Sequence, residues 1–82
     1  MTRRYIHKRR PPEGFGERLR EAIYKSGYST TQLEKLCNVN HSNISKYMSE
    51  EMAPSAWTLA SLCKVLKVSA DYLLFGKEVY GR

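Results

Sequence analysis

Apolar positions in this chain recur three and four residues apart, in short runs that each end at a helix-stopping residue. Pro11-Pro12 favours extended backbone and blocks helix propagation from the left. Beyond it, Phe15, Leu19, Ala22, Ile23 and Ser26 share one helical face, with Glu17, Arg18, Arg20, Glu21 and Lys25 on the other. Glu21 and Lys25 form a favourable i,i+4 pair, and Gly27 can take the left-handed conformation that ends a helix. Ser29-Thr30-Thr31-Gln32 reads as a capping box opening a second helix over about 30–37, with Leu33, Leu36 and Cys37 as its apolar stripe. Asn38, which tolerates the left-handed region, stops it. After Val39, Asn40 is an N-cap for a third helix whose apolar face is Ile44, Tyr47 and Met48. Residues 49–54 read as a loop. Ser55 caps a fourth helix with Leu59, Leu62, Cys63 and Leu66 on its inner face. Ser69 caps a short fifth helix containing Tyr72, Leu73 and Leu74, which Gly76 closes. The pattern predicts an all-α fold, a compact five-helix domain with no strand.

The second and third helices are short and separated by about three residues, the spacing of a helix-turn-helix. At ~100° per residue, His41, Ser42, Ser45 and Lys46 span only ~140° of arc opposite the apolar face of the third helix. All four can form hydrogen bonds. A lysine can reach guanine O6 or N7, a serine can pair with several bases, and an imidazole can donate or accept. A polar outer face is by itself the ordinary property of any surface helix. Its meaning depends on what surrounds it.

Composition and charge sharpen the picture. An 82-residue chain with 41% hydrophobic residues makes one small domain with a shallow core, too thin for a large enclosed active site. No apolar run reaches the ~18 to 20 residues of a membrane span, and no apolar stretch follows the basic N-terminus to make a signal peptide. A cytoplasmic protein is expected. Cys37 and Cys63 stand 26 positions apart without a further thiol or histidine at metal-like spacing, and read as buried, reduced thiols. The net charge of +6 is uneven. Residues 1–10 carry Arg3, Arg4, Lys8, Arg9 and Arg10 without an acid, whereas residues 11–82 carry nine basic and eight acidic residues. Attraction to a polyanion therefore resides mainly in an N-terminal arm, where Tyr5, Ile6 and His7 interleave with the bases and can lodge in a groove. The chain divides into a flexible basic arm at 1–12, a domain at 13–76 and a short tail at 77–82. Tyr24, Tyr28, Trp57 and Phe75 are expected in the core or supporting it. No nucleophile stands at a motif spacing from His41, so neither catalysis nor a cofactor or metal is expected.

Three segments together resemble the helix-turn-helix domains of the phage repressor and Cro family, over residues 15–76. Phe15-Gly16-Glu17-Arg18-Leu19-Arg20 is similar to the family's first helix. Leu33, Val39, Asn40 and Ile44 match the leucine, turn valine, N-cap and isoleucine of its second and third helices. Thr58-Leu59, followed by Val68-Ser69-Ala70-Asp71-Tyr72-Leu73-Leu74, matches its closing pattern. The resemblance implies a fold of the lambda repressor-like type. It also implies a transcription regulator, a phage or bacterial repressor, that binds double-stranded operator DNA with its third helix in the major groove. On the matching positions, His41, Ser42 and Lys46 contact base edges. Thr30, Thr31, Asn40, Asn43 and Ser45 contact the DNA backbone or support the third helix. From their charge rather than from the resemblance, the arm residues Arg3, Arg4, Lys8, Arg9 and Arg10 are expected to add DNA contacts of their own.

The sequence also departs from the family. Asn38 replaces the usual turn glycine and Glu34 a usual small residue. Ser49-Glu50-Glu51-Met52 places acids, expected to repel phosphate, where the family often has glycine and a base. Many such repressors join the first and third helices by an arginine–glutamate pair. Ile23 and Met48 hold the matching positions, which predicts an apolar contact in its place. A homodimer on a palindromic operator is expected, with Phe75, Val79 and Tyr80 available for a small isologous contact. The alternative, from another function class, is an antitoxin-like protein-interaction module that retains the DNA-binding fold.

Overall fold

A computed structural model of the chain describes residues 10–76, and they form five α-helices with no strand among them. These are α1 (Phe15–Ser26), α2 (Thr30–Cys37), α3 (His41–Met48), α4 (Ala56–Leu66) and α5 (Ala70–Phe75). The boundaries follow from local chemistry. Ser29, Asn40, Ser55 and Ser69 each accept a hydrogen bond from a first-turn N–H of the helix they precede. Gly27, Asn38, Lys67 and Gly76 each take the left-handed conformation that closes a helix. Helix α1 packs on α3, α4 and α5, helix α2 on α3 and α4, and α4 on α5.

The core is assembled from every helix. Phe15, Leu19, Leu33, Ile44, Leu62 and Leu73 have no appreciable solvent exposure, and Ala22, Cys37, Tyr47 and Leu66 complete the buried set. Each fully buried large side chain contributes about 1.5–3 kcal/mol. Ile23 and Met48 are both half-buried against this core, so neither stands in solvent. Cys37 is buried and Cys63 half-buried, both as free thiols.

Several apolar side chains lie outside the core, contrary to expectation. Leu36 is 53% exposed, Tyr24 85%, Trp57 83% and Phe75 60%, and Tyr28 is also exposed. The reason is the narrowness of the buried stripe. Helix α2 buries Leu33 and Cys37, four residues apart, and Leu36 falls to the side of that line. Tyr24 follows Ile23 by one position and so is turned ~100° away from the core face. Trp57 and Phe75 sit at the first and last turns of their helices, where a domain this small has little left to cover them.

Two tertiary contacts hold the ends of the helices together. The Arg18 guanidinium donates from Nε to the Leu73 carbonyl (3.0 Å) and from Nη2 to that of Leu74 (3.0 Å), binding carbonyls near the C-terminus of α5. At the same N-terminal end of α1, Gly14 provides no side-chain cap. The Phe15 N–H donates to the Pro12 carbonyl (3.1 Å), and the Gly16 N–H donates to Glu50 Oε2 (2.8 Å). The carboxylate comes from the loop after α3, 34 residues away in the chain. Pro11, just before, is buried.

Gly16 has a second constraint. A methyl group on its Cα would overlap the backbone carbonyl of Met48, and a main-chain atom cannot swing aside as a side-chain tip can. Helix propensity alone favours alanine over glycine by ~1 kcal/mol. Overpacking here acts in the opposite direction and is the larger effect, so Gly16→Ala is expected to destabilise the domain by about 2 kcal/mol or more. Denaturant unfolding measures it, and unchanged or increased stability would show that α1 and α3 are not in close contact at this point.

Candidate nucleic-acid interface

The second and third helices are built by reciprocal local bonds. The Gln32 N–H donates to Ser29 Oγ (3.1 Å), and Gln32 Oε1 accepts from the Ser29 N–H (2.8 Å), which opens α2 with a complete capping box. Asn38 closes α2 at φ 54°, ψ 50°, and the Val39 N–H donates to the Glu34 carbonyl (3.1 Å). Asn40 is extended and its Oδ1 accepts from the Ser42 N–H (2.8 Å), starting α3. The turn between the helices is therefore three residues long, with Val39 half-buried beneath it.

Helix α3 divides cleanly. Ile44 and Tyr47 are buried, and Met48 is half-buried. His41, Ser42, Ser45 and Lys46 are all exposed on one face, and Asn43 at its edge is half-buried. At the start of α2, Thr30 is half-buried and Thr31 exposed, while Asn40 is exposed with its side-chain oxygen engaged as the cap. Of the arm, Arg10 is exposed; Arg3, Arg4, Lys8 and Arg9 lie outside the described residues, as do Val79 and Tyr80. Neither acid of the loop after α3 is free: Glu50 binds the Gly16 N–H, and Glu51 Oε2 accepts from Ser49 Oγ (2.9 Å). Glu50 is the residue that sequence reasoning missed. The only local signal was an uncapped first helix, with nothing to indicate which distant acid would supply the cap.

The buried side of α3 also has polar consequences. Burial pushes the Tyr47 phenol above its ordinary value of 10.0, partly offset by a hydrogen bond with the Thr58 side chain at the start of α4. Burial likewise pushes both thiols, Cys37 and Cys63, above 9.0, which makes them less reactive. Two surface clefts, one against α1, α4 and α5 and one against α2 and α4, are lined by no residue of α3. Among the described residues, no group of histidine, cysteine, aspartate and glutamate could hold a metal ion, and no helix is long and apolar enough to cross a membrane.

The arrangement of α2, the three-residue turn and α3 can be set beside known proteins. A helix-turn-helix family model matches residues 17–73, which takes in most of α1 and all of α2 to α4. The chain belongs to the helix-turn-helix family. It is 38% identical over 64 residues to the HTH-type transcriptional regulator ImmR of Bacillus subtilis (strain 168), covering 78% of this chain and 50% of that one. The chain spans about half the length of the curated relatives it matches. Its structure is similar to that of the P22 c2 repressor protein crystallised with the synthetic operator 9T. The TM-score is 0.73 at 35% identity, over 77% of this chain and 96% of the repressor chain. It is also similar to the restriction-modification controller protein C.AhdI from Aeromonas hydrophila, with a TM-score of 0.66 at 25% identity over 72% and 89% of the two chains. Within this helix-turn-helix domain, the lambda repressor-like arrangement of five helices is the one expected from the sequence.

The raised thiol and phenol values give the domain a signed pH dependence. In the unfolded chain these groups ionise at their ordinary values, 9.0 for the thiols and 10.0 for the phenol, and in the folded chain only at higher pH. Across that window the unfolded state binds fewer protons, so stability falls as pH rises. The contribution is fully present below pH 9 and is lost progressively above it. Urea midpoints at pH 7, 9 and 10.5 measure the effect. Replacing Cys37 by alanine should flatten the decline, and a midpoint that rose with pH would contradict the burial of these groups.

Proposed function

We propose that this chain is a sequence-specific double-stranded DNA-binding transcription regulator, a phage or bacterial repressor working in the cytoplasm, that reads the major groove with α3. The observation that carries the reading is the exposed face of His41, Ser42, Ser45 and Lys46, backed by the buried Ile44 and Tyr47. A rigid helix that is anchored on one side and hydrogen-bonding on the other fits the ~12 Å major groove. The likeness to a repressor crystallised with a synthetic operator supports the same reading.

In this proposal Lys46 addresses guanine O6 or N7, and His41 and Ser42, at the helix start, address neighbouring base edges. Thr30, Thr31, Asn40, Asn43 and Ser45 contact the DNA backbone or hold α3 in register with it. Residues 1–12 act as a basic arm, with Arg3, Arg4, Lys8, Arg9 and Arg10 contributing most of the counterion release. Residues 13–76 make the reading domain and 77–82 a tail. Two copies bind a palindromic operator, since a single small module buries limited DNA surface and gains affinity by pairing half-sites. The function needs no catalytic step and no cofactor.

Selection from a random duplex pool tests the proposal, and a palindromic consensus is the expected result. Enrichment of no sequence would return the chain to the class of protein-interaction modules. On the selected operator, His41→Ala and Lys46→Ala are each expected to lower affinity by about 1–3 kcal/mol with the fold intact. Unchanged affinity in both would remove α3 from the reading role. Deleting residues 1–10 is expected to weaken binding to specific and random duplexes alike. It should also lower the slope of log affinity against log salt by about 0.9 for each phosphate that the arm no longer neutralises. A slope that does not move would assign the arm to solvent.

A further inference from the structure

We infer that Glu50 is a positioning residue for DNA reading, a latch that sets the tilt of α3 by tying its trailing loop to the first turn of α1. The inference rests on the DNA-binding role proposed for α3. Glu50 has a backbone conformation that L-residues seldom adopt, φ 65°, in a loop that leaves the end of α3. Its carboxylate is not turned to solvent but reaches α1, where Oε2 accepts from the Gly16 N–H at 2.8 Å. That amide is in the first turn of α1, where no helical carbonyl is available to it. Gly14, the residue before the helix, supplies no side-chain cap, so Glu50 is the acceptor found for the amide. A carboxylate at a helix N-terminus also meets the positive end of the helix dipole.

Two independent contacts thus meet at Gly16: the Glu50 carboxylate on its nitrogen and the Met48 carbonyl against its Cα. Together they hold the C-terminal end of α3 against the N-terminal end of α1. The base-edge candidates His41 and Ser42 lie at the opposite end of α3, about 10 Å away at 1.5 Å per residue. A small rotation about the pinned end displaces them by the length of that lever. Base contacts depend on hydrogen-bond geometry at the level of a few tenths of an ångström, whereas attraction to phosphates does not. Loosening the latch should therefore degrade discrimination between sequences more than binding to DNA in general.

Two substitutions separate the latch from the charge. Glu50→Gln removes the charge and keeps a side-chain oxygen that can accept from Gly16. Glu50→Gly removes the charge and the acceptor together, and suits the positive φ, so the variant is expected to fold. The full chain and both variants are compared by amide hydrogen exchange at Gly16, by thermal unfolding, and by affinity for the selected operator and a random duplex. The Gly16 amide is expected to be protected in the wild type and in Glu50→Gln, and to exchange freely in Glu50→Gly. The operator-to-random ratio is expected to fall about tenfold in Glu50→Gly and to stay near wild type in Glu50→Gln. Equal ratios in the two variants, or an unprotected Gly16 amide in the wild type, would overturn the inference. A wild-type chain with no preference for any duplex would instead overturn the DNA-reading proposal and the reading role with it. Gly16 protection would still report whether the latch exists.

Discussion

The backbone of α1 and the end of α3 meet at Gly16, and the rest of the domain is arranged around that approach. Glycine there removes the side chain that would hold the helices apart, and the Met48 carbonyl occupies the space left free. With the ends so close, Ile44 and Tyr47 reach a core shared with Phe15 and Leu19, and the outer face of α3 is left to solvent. A larger spacing would leave a void beneath α3, and close-packed interiors tolerate voids poorly. The same approach makes the Glu50 cap geometrically possible, because the loop after α3 necessarily passes over the first turn of α1.

The two sides of one short helix differ in chemistry, apolar within and hydrogen-bonding without. Eight residues cannot hold a helix on their own, since nucleation is costly and isolated helices under ~12 residues are marginal in water. Helix α3 exists because its inner face is buried, its start is capped by Asn40 and its end is tied down by the following loop. The outer face is then free to carry residues chosen for hydrogen bonding rather than for packing. Charge is arranged with a similar economy. The described domain is nearly balanced in acids and bases, and two of its acids are engaged in structure at Gly16 and Ser49. The excess positive charge is concentrated in the sequence before α1, and charge of that kind attracts a polyanion without specifying sequence.

Much of this architecture is local. All five helices, the serine and asparagine N-caps of α2 to α5 and the stops at Gly27, Asn38 and Gly76 are properties of stretches of a few residues, and they were legible in the sequence for that reason. The polar arc of α3 was legible too, because a 3.6-residue period and two buried residues determine which side chains face outward. The sequence did not indicate which apolar residues would remain uncovered. Tyr24, Leu36, Trp57 and Phe75 have the composition of a core, but burial depends on how many faces a small domain can cover.

By itself, then, the sequence determined the number of helices, the limits marked by serine, asparagine and glycine, and the residues offered outward by α3, because each is set by bonds among near neighbours. The end of α4 at Lys67 carried no such mark. Only the tertiary structure decided what joins elements distant in the chain. Arg18 reads as an ordinary exposed base on a helix, yet it binds the carbonyls of Leu73 and Leu74 near the end of α5. Glu50 reads as an acid that repels phosphate, yet it caps α1. Both are charged side chains satisfying backbone groups that a helix end leaves without partners, and sequence spacing cannot say which end lies nearby. That choice belongs to the packing, which brings residues 34 and 55 positions apart into hydrogen-bond range.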